Sequence, residues 1–496
     1  MSIKSFLSIY FARFIVQKNL AWKNNAVKAQ ENLLKNLLKT AKNTKFGFDH
    51  NFAEIKNYDD FKKNVPIRDY EDLSSYIENI KKGEANILWP GKPIYFCKTS
   101  GTTSGTKYIP ITKESMPCHL NSARDAILSY IVETKNTSIL NGKMIFLQGS
   151  PELTKTGDIL TGRLSGIVAH HIPSYLKTNR LPSYSVNCIE NWEKKVDAIV
   201  DETYNQNMTL ISGIPPWVQM YFEKLQLKSN SLIKDIFPNF DLFIYGGVNF
   251  QPYKKTFEKL IGKKVDGVEL YPASEGFIAY QDSQKEPGML LCVDNGIFYE
   301  FIESENYFKD KQERLSLKDI SLNVNYVIIL NTNAGLWGYN IGDTVKFVSK
   351  NPYRIIVSGR LKHFTSAFGE HVIAEEIEKS LEKALKIEYA EVNELHIAPE
   401  VNPNNGLPFH CWFIEFRKEP ENLEKFATIL DLELQKLNSY YKDLISGGVL
   451  KKLEIFLVKK NGFRDYMDSV GKLGGQNKVP RLANDKTLAD KLIKYV

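Results

Sequence analysis

Short apolar runs that alternate with amphipathic helical stretches constrain the fold of this chain more than any other feature. Met144–Leu147, Leu210–Ser212, Leu242–Tyr245, Val268–Leu270 and Tyr326–Leu330 are too short for ordinary helices and read as buried strands. Helical patterns such as Trp192–Tyr204 and Pro252–Ile261 fall between them. That order predicts an α/β sheet with helices packed on it. Helices are also expected over Ala21–Thr44, where Leu33, Leu34, Leu37, Leu38 and Ala41 recur at helical spacing, and from Asp69 through Ile80.

Near Gly359–Gly369 the pattern changes. A strand over Arg354–Gly359 precedes a Glu/Lys-rich helix over Ala374–Leu385, strands over Leu395–Ala398 and Phe409–Phe416, and a helix from Asn422 to Tyr441. From Leu453 onward a strand and an irregular basic segment are expected. The organisation predicted is a large N-terminal domain, residues 1–370, with mixed sheets and helices, followed by a small mobile α+β domain, residues 371–496. The hinge is placed at Glu370–His371. At 496 residues the chain exceeds what one compact core holds, which agrees with more than one domain.

Composition excludes several classes. With 43% hydrophobic and 25% charged residues the chain is neither disordered nor fibrous. The net charge of +7 is modest, although residues 451–496 hold 11 Lys/Arg against 5 Asp/Glu. Because acidic residues are interspersed there, the segment reads as a solvated face with a few lysines aimed at a nucleotide, not as a nucleic-acid tail. Cys97, Cys118, Cys188, Cys292 and Cys411 are odd in number and widely spaced, which fits a reducing cytosol and neither a disulfide framework nor a zinc site. Lys4 and Arg13 interrupt the apolar stretch Met1–Val16, which reads as an amphipathic helix, not a signal peptide. No later apolar run approaches the ~18 residues of a membrane span. A soluble cytoplasmic protein without membrane partner is expected, its oligomeric state left open.

Five motifs carry chemistry. Lys98-Thr-Ser-Gly-Thr-Thr-Ser-Gly-Thr-Lys107 follows the strand Ile94–Cys97. Gly101 and Gly105 let backbone N–H groups approach an anion, while Ser100, Thr102, Thr103 and Ser104 add hydroxyl donors. The spacing is not that of a Walker loop, and a merely flexible Ser/Thr loop is the bland alternative. Tyr271-Pro-Ala-Ser-Glu-Gly276 follows the strand Gly267–Leu270, so Glu275 could give one oxygen to Mg²⁺; Ser-Glu also starts helices. Gly338-Tyr-Asn-Ile-Gly-Asp343 could set a carboxylate on two ribose hydroxyls, or simply be a turn. Ser358-Gly-Arg-Leu-Lys-His363, with Phe368-Gly-Glu-His371 and Glu375-Glu-Ile-Glu378 beyond it, is the fourth. Gly474-Gly-Gln-Asn-Lys-Val-Pro-Arg481 is the fifth, where Lys478 could be a mobile positive charge or an ordinary solvated lysine. The His170-His171 pair lacks acidic or cysteine partners at ligand spacing and reads as structural. Gly213-Ile-Pro-Pro-Trp217 reads as a rigid turn, lining an acyl pocket or purely structural.

In this order and spacing the five motifs, with Phe61-Lys-Lys-Asn-Val-Pro66 and Gly83-Glu-Ala-Asn-Ile-Leu-Trp-Pro90 upstream, resemble the adenylate-forming superfamily. Within it the chain is most similar to the auxin-responsive-type acyl-acid amido synthetases, which conjugate jasmonate, indole-acetate or benzoates to amino acids. The resemblance runs from about Gln30 to Leu482. It implies that Ser100, Thr102 and Thr103, with Gly101, contact ATP phosphates. Tyr271, Ala273 and Ser274 would line the adenine and α-phosphate, and Glu275 would place Mg²⁺. Asp343 would hold the ribose with Arg360 near it, and Lys478 would be the adenylation lysine. The chain departs from plant members at His371, where they carry lysine, and their hormone and amino-acid pockets are not recognisable. Arg124 is a candidate for the acyl carboxylate.

The implied activity is ATP-dependent activation of a carboxylic acid as acyl-AMP, then transfer to an amine, with an amino acid as the expected acceptor. Rivals are an acyl-CoA ligase of the same superfamily and a non-catalytic small-molecule binding protein on this scaffold. Joint presence of Glu275, Asp343 and Lys478 argues against the last.

Overall fold

The computed structural model describes residues 3–100, 106–172, 178–189, 192–247, 250–309, 312–361, 372–400, 403, 405–446, 450–472, 478–483 and 486–496. The chain packs as two compact units, Met1–Ile341 with Lys346–Ile356, and Gly342–Val345 with Val357–Val496. The division by packing precedes the 370/371 boundary expected from sequence; Glu370 and His371 themselves lie outside the described residues.

The first unit is built on β1 (Tyr95–Ser100), β2 (Thr106–Ile111), β3 (Lys143–Phe146), β4 (Thr154–Thr156), β5 (Ile159–Gly162), β6 (Arg180–Leu181), β7 (Met208–Ser212), β8 (Leu242–Gly246), β9 (Asp266–Ala273), β10 (Gly276–Tyr280), β11 (Met289–Leu291), β12 (Ile297–Glu303) and β13 (Asn325–Thr332). β14 (Tyr339–Lys350) and β15 (Tyr353–Arg360) run through the division. One sheet has the order β2-β1-β5-β4, the other β12-β13-β14-β15-β11-β10-β9-β8-β7-β3-β6. Within the large sheet β6, β3, β7, β8 and β9 are parallel neighbours, and the pairing turns antiparallel at β9–β10.

Both faces of the parallel strands are covered, as such strands require. Ile145, Ile211 and Phe243 meet Val196, Phe222 and Phe257 from the helices Trp192–Thr203, Pro215–Ser229 and Gln251–Ile261. On the other face Met144, Leu210, Leu242 and Val268 meet Ala126, Tyr130 and Ile131 of the helix Met116–Thr134. A second core surrounds Trp337, which is stacked on Phe46 and Trp89 and met edge-on by Phe52.

The second unit carries β16 (Glu391–Glu400), β17 (Phe409–Lys418) and β18 (Glu454–Leu457) in that order. Leu395, Ile397, Trp412 and Ile414 face Ile377 and Leu381 of the helix Ala374–Ile387 and Phe426 and Leu430 of the helix Leu423–Leu437. The single helix expected over Asn422–Tyr441 is in fact two, Leu423–Leu437 and Ser439–Ser446. Asn438 breaks it: its backbone is extended (φ −122°, ψ 107°), its side-chain oxygen accepts from Tyr441 N at 2.8 Å, and its amide donates to Glu376 at 3.0 Å. An asparagine that can satisfy backbone donors from outside a helix favours a cap over continuation.

Candidate active site

The Ser/Thr-Gly motif joins a hairpin. β1 and β2 are antiparallel, with Lys98 opposite Tyr108, Thr99 opposite Lys107 and Ser100 opposite Thr106. Gly101, Thr102 and Thr103, at the connection, lie outside the described residues, as does the Ser100 side chain. The hairpin is seated by Phe96, Cys97, Ile109 and Ile111, all essentially buried, and braced by Tyr70, whose hydroxyl accepts from Tyr108 N at 2.9 Å. Tyr70 opens the helix Tyr70–Lys81, where Asp69 accepts from the N–H groups of Glu71 and Asp72 as the cap.

Tyr271 and Ala273 end β9, and Ser274-Glu275 make the turn into β10. This turn stands at the carboxyl end of a parallel strand, where open α/β sheets hold their ligands. The Cys97 thiol donates to Ser274 Oγ at 3.2 Å, so the hairpin and the turn meet directly. Burial pushes the Cys97 thiol up to about 12, which keeps it protonated and able to donate. Tyr339 hydrogen-bonds Glu275, and burial holds its hydroxyl well above its ordinary value, so it donates to the carboxylate.

Tyr339 is itself positioned by a buried polar chain. Gly338 has φ +60°, and a β carbon there would stand 2.3 Å from Pro66 O, so only glycine fits. Gly338 N donates to Asn331 Oδ1 at 2.7 Å, and Asn331 Nδ2 donates to Glu300 at 3.0 Å. Glu300, fully buried, is held by both Nε and Nη2 of Arg314 at 2.9 and 2.7 Å and by the Tyr58 hydroxyl at 2.9 Å.

In the second unit, Asp343 is 7% exposed. The Gly342-Asp343 pair does not form the turn expected from sequence; both residues lie inside β14, where Gly342 has φ +83°. Beside it, Ser358 Oγ donates to Thr344 Oγ1 at 3.1 Å, tying β15 to β14. Arg360 ends β15, its side chain outside the described residues. Lys478 is exposed, just ahead of a segment pinned to β16. There His396 Nδ1 donates to Pro480 O at 2.6 Å, Ile397 N donates to Arg481 O at 2.8 Å, and Ala483 N donates to Ile397 O at 2.9 Å. Arg481 also pairs with Glu378 at 2.8 Å. Lys478 and Arg481 both draw down the half-buried Glu394 carboxyl, which desolvation raises.

Other candidates find structural partners. Arg124 is paired with its neighbour Asp125 at 2.7 Å. His170 Nε2 meets Pro151 O at 2.7 Å and His171 Nε2 meets Tyr95 Oη at 3.0 Å, in line with the structural reading. Gly213-Ile-Pro-Pro leads into the helix Pro215–Ser229, its prolines at the first turn.

Sequence reasoning missed Cys97, Tyr339 and Glu269. The one signal for Glu269 was a lone acid inside the buried run Gly267–Leu270. It sits on β9 opposite Tyr245, and burial raises its carboxyl to about 7. The unfolded chain ionises this group near 4.5. Between those values the folded state binds the extra proton, so this residue makes stability fall as pH rises from about 4.5 to about 7. Urea midpoints of Glu269→Gln should decline less over that window than those of the parent; an identical decline would contradict this account.

Residues 16–181 and 160–265 match the GH3 family N-terminal domain, residues 290–360 its central domain, and residues 375–487 its C-terminal domain. The chain belongs to the GH3 family. Relatives include the jasmonoyl–L-amino acid synthetase JAR6 of Nicotiana attenuata, 23% identical over 93% of this chain and 92% of its own. A probable indole-3-acetic acid-amido synthetase of Arabidopsis thaliana, GH3.1, is 23% identical over 93% and 90%. Among solved structures, the GH3.15 acyl acid amido synthetase has a TM-score of 0.79 at 14% identity, covering 97% of this chain and 95% of its own. A 2-hydroxyisobutyryl-CoA ligase in its postadenylation state follows at 0.61 and 13%, over 94% and 92%. The GH3 fold is thus shared along nearly the whole chain, as the motifs led one to expect. No helix among the described residues is long and apolar enough to cross a membrane.

Proposed function

We propose that this GH3 protein activates a carboxylic acid with ATP as an acyl-adenylate and transfers the acyl group to the amine of an amino acid. The observation that carries this reading is the Cys97–Ser274 contact, which brings the Ser/Thr-Gly hairpin against the Ser274-Glu275 turn, with Tyr339 on Glu275. A carboxylate is a poor electrophile because its leaving group would be oxide. Attack of its oxygen on the α-phosphorus forms the acyl–phosphate bond and expels pyrophosphate, which turns that oxide into a phosphate leaving group. The amine nitrogen then attacks the acyl carbon, AMP departs, and the nitrogen loses its proton.

Each residue has an assigned part. Backbone N–H groups around Gly101 and the hydroxyls of Ser100, Thr102 and Thr103 hold the phosphates. Tyr271, Ala273 and Ser274 line the adenine and α-phosphate, and Asp343 accepts from the ribose hydroxyls, with Arg360 near it. Glu275, its carboxylate oriented by one tyrosine hydroxyl, suits Mg²⁺, a hard cation that takes one or two carboxylate oxygens alongside phosphate. Bound there, the ion neutralises phosphate charge. Lys478 meets the α-phosphate, carried by a small domain that pivots at Glu370–His371 between residues 1–370 and 371–496. The reaction is placed in the cytoplasm, a reading supported by the scattered, odd-numbered cysteines.

Pyrophosphate release across a panel of acids, with mass spectrometry of products formed with amino acids or coenzyme A, tests the reading. An amide is expected. Robust acyl-CoA formation without amide would replace it by the thioester-forming alternative. Asp343→Ala should weaken ATP binding about 10- to 100-fold, the loss of one or more charge-assisted hydrogen bonds at about 1.5–3 kcal/mol each. Unchanged ATP affinity in the folded variant would move the ribose elsewhere.

A further inference from the structure

Two cations without a counter-ion among the described residues border the site. Gly162, the last residue of β5, is the cross-strand partner of Cys97, and Arg163 follows it directly. The Cys97 thiol that reaches Ser274 also receives the Leu164 N–H, so Arg163 adjoins the contact that joins hairpin and turn. The Arg163 stem lies on Gly149, just past the carboxyl end of β3: a β carbon at Gly149 would stand 3.0 Å from Arg163 Cδ and 3.7 Å from Ser165 Oγ. Lys195, 2% exposed on the helix Trp192–Thr203, extends its ammonium to Gln148 O at 2.9 Å and Asn187 O at 2.6 Å. Arg163 and Lys195 are close enough to repel.

Three buried donors on these neighbouring residues have no partner among the described residues: Arg163 Nη1, Ser165 Oγ and Gln148 Nε2. Neither cation, Arg163 half-buried and Lys195 buried, forms an ion pair with a described carboxylate, although buried charges are ordinarily paired. A donor set of guanidinium, hydroxyl and amide beside a buried ammonium matches one ligand chemistry, a planar carboxylate that accepts from several directions. The carboxylate consumed in adenylation loses its charge. The matching ligand is therefore a carboxylate that stays ionised throughout.

We infer that Arg163, Ser165, Gln148 and Lys195 form a subsite for a non-reacting carboxylate on one of the two substrates. The inference rests on the proposed amide-forming reaction. Two sources supply such a group: the α-carboxylate of the amino-acid acceptor, or a second carboxylate on the acyl acid.

The experiment compares substrates that differ only in that group, in the full chain and in Arg163→Gln. The acceptor arm measures kcat/KM for amide formation with L-amino acids against the matching L-amino-acid amides. The acyl arm measures pyrophosphate exchange with adipate against monomethyl adipate. Preference for the carboxylate in one arm should fall about 10- to 100-fold in Arg163→Gln, the loss of a charged hydrogen-bond partner, and recover in part in Arg163→Lys. The arm that responds identifies the source. Should Arg163→Gln lose its near-UV circular dichroism, Ser165→Ala carries the same comparison.

Preferences unchanged in both arms would overturn the subsite, as would equal losses for the carboxylate and its neutral analogue. Wild-type protein that forms no acyl-adenylate with any acid would instead overturn the reaction. Calorimetric titration with adipate, L-alanine and L-alaninamide then still decides the subsite. Carboxylate-dependent binding lost in Arg163→Gln supports it, and equal binding by both proteins overturns it.

Discussion

Replacing Lys478 by alanine is expected to slow acyl-adenylate formation by about 10²–10³-fold, the loss seen when one preorganised donor to a developing oxyanion is removed. Negative charge concentrates on the α-phosphate as the acid attacks, and a lysine suits the place because a long stem carries a compact charge. The segment that holds it is built for placement. Pro480, Arg481 and Ala483 are hydrogen-bonded to His396 and Ile397 of β16, so the chain leaves a fixed anchor two residues after Lys478. ATP affinity should change little, because the assigned phosphate and ribose contacts are elsewhere. Aminolysis of chemically prepared acyl-AMP should survive, since that step forms no new bond to phosphorus. Pyrophosphate exchange and aminolysis measured separately on the same variant decide the matter. Equal damage to both half-reactions would make Lys478 a general support of the site.

The largest effect on stability should come from Arg314→Met. Glu300 is fully buried, and Arg314 is its sole cationic partner among the described residues. Such a pair contributes little relative to well-packed apolar residues, but removing one member strands a buried charge at a cost of about 3–5 kcal/mol. The guanidinium also donates to Lys62 O and lies over the Phe61 ring, so the helix Tyr58–Asn64 loses one of its ties to β12, the Tyr58–Glu300 bond remaining. Urea unfolding should show the loss, and Glu300→Gln combined with Arg314→Met should recover much of it. Because Glu300 continues through Asn331 and Gly338 to Tyr339, the single variant should also impair adenylation under conditions where it remains folded. A single variant as stable as the parent would show that Glu300 finds another partner.

The sheet was legible because its strands are buried on both faces and so spell continuous apolar runs. Each of the five runs proposed from sequence lies in or overlaps an observed strand, from β3 to β13. The break at Asn438 was not legible, since helical periodicity continues across it and only a side chain from the helix Ala374–Ile387 shows why it occurs. Among the proposed site residues, Glu275, Ser274 and Asp343 announced themselves through glycine-bearing motifs. Cys97, Tyr339, Arg163 and Lys195 did not, because a residue that acts through a neighbour distant in sequence leaves no local spacing to read. Cys97 and Ser274 are 177 positions apart.

The Cys97–Ser274 contact also makes this thiol a clock. With its pKa raised to about 12, almost none of it is thiolate at pH 8, and the side chain is fully buried. Alkylation therefore has to wait for the hairpin to separate from the β9–β10 turn, and its rate reads the free energy of that separation. Cys188, partly exposed, should label first and serve as an internal reference. A nucleotide that bridges hairpin and turn would slow the Cys97 reaction alone, so mass-resolved labelling measures occupancy without any turnover.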